Sequence, residues 1–126
     1  MTNYLAGIAV GIIVLQTMVF APTIFTTIES QSAGKLLRAL FPKFFVLLSL
    51  LGVGMLAALI AAGDGAVMRF VLASVTLVVP VVCLLLIPAT NRATDRGDAR
   101  SFKILHTASV VLTVLVLVAN LWMPLA

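Results

Sequence analysis

Few side chains in this 126-residue chain are equipped for chemistry: one histidine, His106, one cysteine, Cys83, and four carboxylates, Glu29, Asp64, Asp95 and Asp98. A nucleophile–histidine–acid triad, or two carboxylates sharing acid–base work, needs such groups close together. No acid falls inside any of the chain's four long apolar runs, so neither arrangement can be assembled, and no phosphate-cradling glycine loop is present. A lone cysteine closes no internal disulfide and completes no paired-cysteine metal motif. His106 is the one residue around which a haem or copper redox site could be built, with Met18, Met55 and Met68 as soft donors, yet such a site needs further ligands. The chain therefore reads as non-enzymatic, with no catalytic, cofactor or metal residue assigned. A haem- or copper-linked membrane redox protein using His106 is the alternative.

The remaining candidates are neutral polar groups inside apolar runs, where burial is expensive and function is the first hypothesis. Thr76, Ser109 and Thr113 can bond their own helix backbones. Gln16, beside Thr17, cannot satisfy an amide that way; it reads as a bond across the bundle or as a contact for a substrate or ion. Asn120 reads as lying near a helix end, within reach of water.

Apolar residues make up 63% of the chain and charged ones 10%, against about 45–50% and about 25% in soluble domains. Mean hydropathy is +1.26. A bilayer core of about 30 Å takes about 20 helical residues, and backbone groups in lipid must be satisfied within their own segment. Four stretches meet that length, at about 4–24, 44–62, 67–87 and 106–125. None alternates as a barrel strand would, and 44–62 lacks the polar stripe of a soluble bundle helix. The fold class expected is all-α: a single integral-membrane four-helix domain over 1–126.

Seven of the eight basic residues fall between odd and even spans: Lys35, Arg38 and Lys43 in the first connection, Arg92, Arg96, Arg100 and Lys103 in the third. The positive-inside rule puts these in the cytoplasm and both termini outside, with Tyr4 and Trp122 at the outer interface. The location implied is the inner (plasma) membrane, and the partner is lipid, since these cations sit where anionic headgroups lie. The net charge of +4 and pI near 10 thereby cease to suggest nucleic acid, which needs a solvated basic surface. No basic residue precedes the first apolar run, so a cleaved leader is not expected.

In the first basic connection, Leu36, Leu37, Leu40 and Phe41 recur at helical spacing with Lys35 and Arg38 offset from them. This reads as a short interfacial helix ending near Pro42, in preference to a cytoplasmic extension of the second span. Pro88 reads as the end of the third span, and Pro22 and Pro80 as kinks. Gly63-Asp64-Gly65 makes a tight hairpin of spans two and three. Small residues at four-residue spacing, Gly7/Gly11 and Gly54/Ala58/Ala62, mark close helix packing, either within the bundle or as a homo-oligomer seam.

Several short motifs carry a resemblance along nearly the whole chain. They are Ala21-Pro22 followed by Ile24-Phe25, Ala33-Gly34, Leu40-Phe41-Pro42-Lys43-Phe44-Phe45, Pro88 with Asn91, and Phe102, Leu105-His106 and Ser109. In these the chain resembles the transmembrane protein 205-like family, small four-helix membrane proteins carrying a domain of unknown function. Thr113 stands where such proteins often have an Asn two turns after the His, so a role resting on that amide does not carry over. The resemblance implies a four-helix membrane domain without assigned chemistry, and it groups Pro22, Gly34, Pro42 and His106 at the cytoplasmic side. The reading that results is a small oligomeric scaffold or binding unit, preferred over passage of a small solute because Gln16 and Thr17 alone would line a path.

Overall fold

The computed structural model describes residues 1–126, all helix and turn, without strands. Four rods long and apolar enough to cross a membrane run Thr2–Thr27, Ser30–Ala61, Val67–Asp95 and Ala99–Leu125. The first rod is composite: α1 (Thr2–Val14), a wide π-turn (Leu15–Phe20) and α2 (Ala21–Thr27). The others are α3 (Ser30–Ala61), α4 (Val67–Asp95) and α5 (Ala99–Trp122), the last closed by a 3-10 turn at Met123–Leu125. Only 24 of 126 residues are buried. Leu50, Ile60, Leu85 and Val111 are among the many large apolar side chains left facing outward, as suits a molecule whose solvent is lipid.

Two matching turns fold the long helices back. Gly63 and Gly97 take positive φ, 63° and 68°. Each follows a helix whose last carbonyls are closed by a Schellman pair, Gly63 N–H to Ile60 and Asp64 N–H to Leu59 in one, Gly97 N–H to Thr94 and Asp98 N–H to Ala93 in the other. Arg96-Gly97-Asp98 is thus a helix stop. Asp98 then caps α5 by accepting from the Ser101 amide. That amide, the Ser101 hydroxyl and the Arg96 guanidinium hold the Asp98 carboxyl below its ordinary range.

Two expectations are corrected. Residues 33–41 form no separate interfacial helix: α3 runs unbroken from Ser30 through Pro42 to Ala61. Pro42 denies the Arg38 carbonyl one bond, but Ala33, Leu37, Phe44, Phe45 and Leu48 are all buried along α3, and packing of that continuous face outweighs one lost bond. Pro88 likewise does not end α4, which continues to Asp95 with Ala93 buried. The extension is tied across to α3, where Arg38 meets Asp95 at 2.6 Å and donates to the Asn91 carbonyl. The first span is also not one regular helix. Ala21 N–H reaches back five residues to the Gln16 carbonyl, a widened turn placed immediately before Pro22, which has no N–H to give.

The core draws Ala6, Ala9 and Ile13 from α1, Leu48, Met55 and Leu59 from α3, Ala73 and Cys83 from α4, and Val116 from α5. Among the glycines the tightest approach is at Gly52, where a Cβ would stand 2.4 Å from the Leu77 nitrogen of α4. Gly54, two positions on, faces α1 instead, its Cβ position 3.3 Å from Leu5 Cδ1. Both termini and the Gly63 turn lie at one end, joined by Arg69 of α4, which bonds Asp64 at 2.6 Å and Asn3 at 3.0 Å. The seven other basic residues lie at the opposite end.

Candidate functional site

The polar groups of the bundle interior are positioned by the inward stripes of the four rods. On the first rod Thr2, Ala6, Ala9, Ile13 and Gln16 are buried, recurring at the three- and four-residue intervals that keep one face. Gln16 is 4% exposed, at the start of the wide turn, and its amide nitrogen has no hydrogen-bond partner. The bond across the bundle expected for it is not made by that donor. Thr17 does not join it either: it is exposed, and its hydroxyl donates to the Ile13 carbonyl at 2.7 Å. The two do not form an inward polar pair.

Asn120 stands near the end of α5, as expected, but its surroundings differ from the expectation. It is 1% exposed, not served by water. Its Nδ2 donates to Thr76 Oγ1 at 2.9 Å and to the Val116 carbonyl at 2.8 Å, fastening α5 to α4. A signal for this pair was present. Thr76 and Asn120 each stand twenty-two positions from Asp98, so two helices folding back at that turn bring them to one height. Thr76 and Thr113 also donate to their own backbones, at Leu72 and Ser109, as expected. Ser49, one turn before Gly52 on the inward face of α3, keeps a buried hydroxyl without a partner.

Pro22, Gly34, Pro42 and His106, grouped by the resemblance, all lie toward the basic end, but no side-chain hydrogen bond or ring contact links any two of them. Pro22 is exposed, and a Cβ on Gly34 would meet nothing within 4 Å. Pro42 is half-buried and borders a shallow outward groove. His106 is exposed on α5 with its ring stacked on Phe102, centroids 5.4 Å apart and planes 8° from parallel. No three His, Cys, Asp or Glu side chains gather anywhere in the bundle. No such cluster surrounds His106, so nothing in the geometry favours the haem- or copper-linked alternative.

The basic end is the most strongly polarised surface. Lys35, Arg38, Lys43, Arg92, Arg96, Arg100 and Lys103 are all exposed there. Of the three acids at that end, Asp95 is engaged by Arg38 and Asp98 by Arg96, while Glu29 makes no ion pair. Lys35, Lys43, Arg92, Arg100 and Lys103 have no acidic partner. Above them on α3, Phe41, Phe44 and Phe45 pack together, with centroids 5.0 to 6.5 Å apart.

The geometry offers an interior lock at Thr76–Asn120, a lone buried amide at Gln16, and a basic end with cations to spare. No curated protein and no solved structure matches this chain. A family model described as a domain of unknown function (DUF4149) does match, over residues 4–98, and the chain belongs to that family.

Proposed function

We propose that this protein is a small oligomeric scaffold or binding unit of the inner membrane, with its basic end in the cytoplasm. The observation that carries the reading is the orientation of Gly7 and Gly11. Both are exposed on α1, and a Cβ at either would meet nothing within 4 Å. Gly54 is occupied by Leu5 inside the bundle, which leaves the Gly7/Gly11 face as the place where another helix backbone could come close. A second copy is the simplest occupant. Passage of a solute is the weaker reading, because Thr17 turns outward and the buried Gln16 amide nitrogen and Ser49 hydroxyl bond to no other polar group. The resemblance to transmembrane protein 205-like proteins agrees with a four-helix membrane unit and supplies no reaction, and the absence of a triad or carboxylate pair argues for a non-enzymatic role.

Crosslinking in native membranes tests the assembly. Wild type is expected to give a dimer band, and Gly7→Leu with Gly11→Leu, both facing open space, is expected to abolish it while the chain stays folded. Monomer alone in wild type would overturn the oligomeric reading. Sidedness is tested separately: a C-terminal fusion to a reporter active only in the cytoplasm is expected to be silent, and a strong signal would reverse the topology.

A further inference from the structure

We infer that the groove beside Pro42 on α3 is a binding site for one anionic phospholipid, with Lys43 holding the headgroup phosphate and the acyl chain lying on Val46, Leu47 and Leu50. The groove is shallow, open to the membrane and about 460 Å³, lined by these five residues. Lys43, Val46, Leu47 and Leu50 recur at i, i+3, i+4 and i+7, so they form one stripe on the outward face. Seven residues of helix rise about 10 Å, which runs the stripe from the first basic residue bordering the apolar run down into the hydrocarbon. Cβ atoms tilt toward a helix's N-terminus. For α3 that is the basic end, so the Lys43 stem leans toward the headgroups and its ammonium can snorkel there. The stripe is therefore cationic at the interface and apolar below it.

Charge complementarity selects the occupant. Lys43 has no acidic partner, and the acids at its end are engaged by Arg38 and Arg96 or, for Glu29, form no ion pair. A phosphate supplies the missing counter-charge, and the apolar stripe beneath it requires that the phosphate carry a chain. A second groove gives the contrast. It lies on α4 between Val67 and Val79, has a similar volume of about 410 Å³, and has no charged residue in its lining. The one base at that end, Arg69, is already held by Asp64 and Asn3. That groove can take a chain but cannot select a headgroup.

The test is native mass spectrometry of the full chain released from detergent after exposure to equal amounts of phosphatidylglycerol and phosphatidylcholine with identical chains. Wild type is expected to retain one phosphatidylglycerol in preference. Lys43→Gln is expected to lower that preference about fivefold, the size for one cation beside an anionic headgroup. Arg100→Gln, which removes the same charge from the same end away from the groove, is expected to leave it unchanged. Leu47→Trp, which fills the groove without altering charge, is expected to lower retention of the lipid. Glycerol phosphate, the headgroup without chains, is expected not to compete. The inference is overturned by wild type without preference, by Lys43→Gln that binds as wild type, or by an equal fall in Arg100→Gln, which would mark a diffuse charge effect. It is also overturned by Leu47→Trp that retains lipid normally, or by competition from glycerol phosphate, which would assign the cation to free phosphate.

Discussion

Replacing Gly52 with alanine is expected to drive α3 away from α4 and to lower the unfolding midpoint of the protein in detergent by several degrees. The added Cβ would stand 2.4 Å from the Leu77 nitrogen, 2.7 Å from its Cα and 2.8 Å from the Thr76 carbonyl carbon. All three are backbone atoms of a helix, so none can swing aside as the tip of a side chain would. The relief available is separation of the two rods, which loosens contacts of Leu48, Met55 and Ala73 in the core. Overpacking of this kind costs about 1–3 kcal/mol and occasionally more. The chain supplies its own controls. Gly34→Ala meets nothing within 4 Å, and Gly54→Ala meets only the end of the Leu5 side chain at 3.3 Å, so both are expected to stay close to wild type. Thermal unfolding of the three variants side by side checks the order, and a Gly52→Ala midpoint equal to that of Gly34→Ala would mean that α3 and α4 do not meet here.

Gly52 also marks where the sequence stops being legible. The four spans could be read directly, because hydrophobic length against bilayer thickness is a one-dimensional property. The Gly63 hairpin and the gathering of basic residues at one end followed from the same strip of sequence. The partner of a small residue is a different kind of fact. Small residues at four-residue spacing pointed to Gly54, yet Gly52 and Gly54 stand about 200° apart around a helix of 3.6 residues per turn, one facing α4 and the other α1. Which neighbour comes closer depends on the arrangement of rods, which no single span encodes. Pro42 and Pro88 were read as stops because a proline removes a bond. Whether the helix resumes depends on what the residues beyond it pack against, and Leu37 on one helix and Ala93 on the other are buried by their tertiary surroundings. Gln16 is buried, but the wide turn that holds it and the lack of a partner for its nitrogen were not visible in the sequence.

Asn120 carries the second large effect, and its sign depends on where hydrogens are already committed. The Thr76 hydroxyl has one proton, and it goes to the Leu72 carbonyl at 3.0 Å, so Thr76 Oγ1 meets Asn120 as an acceptor. The Val116 carbonyl is an acceptor as well. Both contacts therefore require a donor, which fixes the amide with its nitrogen toward them and explains why Oδ1 is the atom without a partner. Asn120→Asp keeps the shape and inverts this requirement, placing a carboxylate oxygen against two acceptors with no donor to receive it. The expected cost is about 1–3 kcal/mol, the scale for leaving a buried polar group without its partner, and more where that group is charged. Asn120→Leu also loses the bond between α4 and α5, but it leaves Thr76 bonded to Leu72 and introduces no charge. Its cost should be about 0.6 kcal/mol, the average for an interhelical bond in a bilayer protein. Unfolding midpoints in detergent should therefore fall in the order wild type, Asn120→Leu, Asn120→Asp, with the larger step between the two variants. Thr76→Val should remove most of what Asn120→Leu removes, and combining the two should add little. If Asp and Leu at position 120 proved equally tolerated, the site would have to admit water or a donor from elsewhere, and Asn120 would be an open polar position instead of a lock between helices.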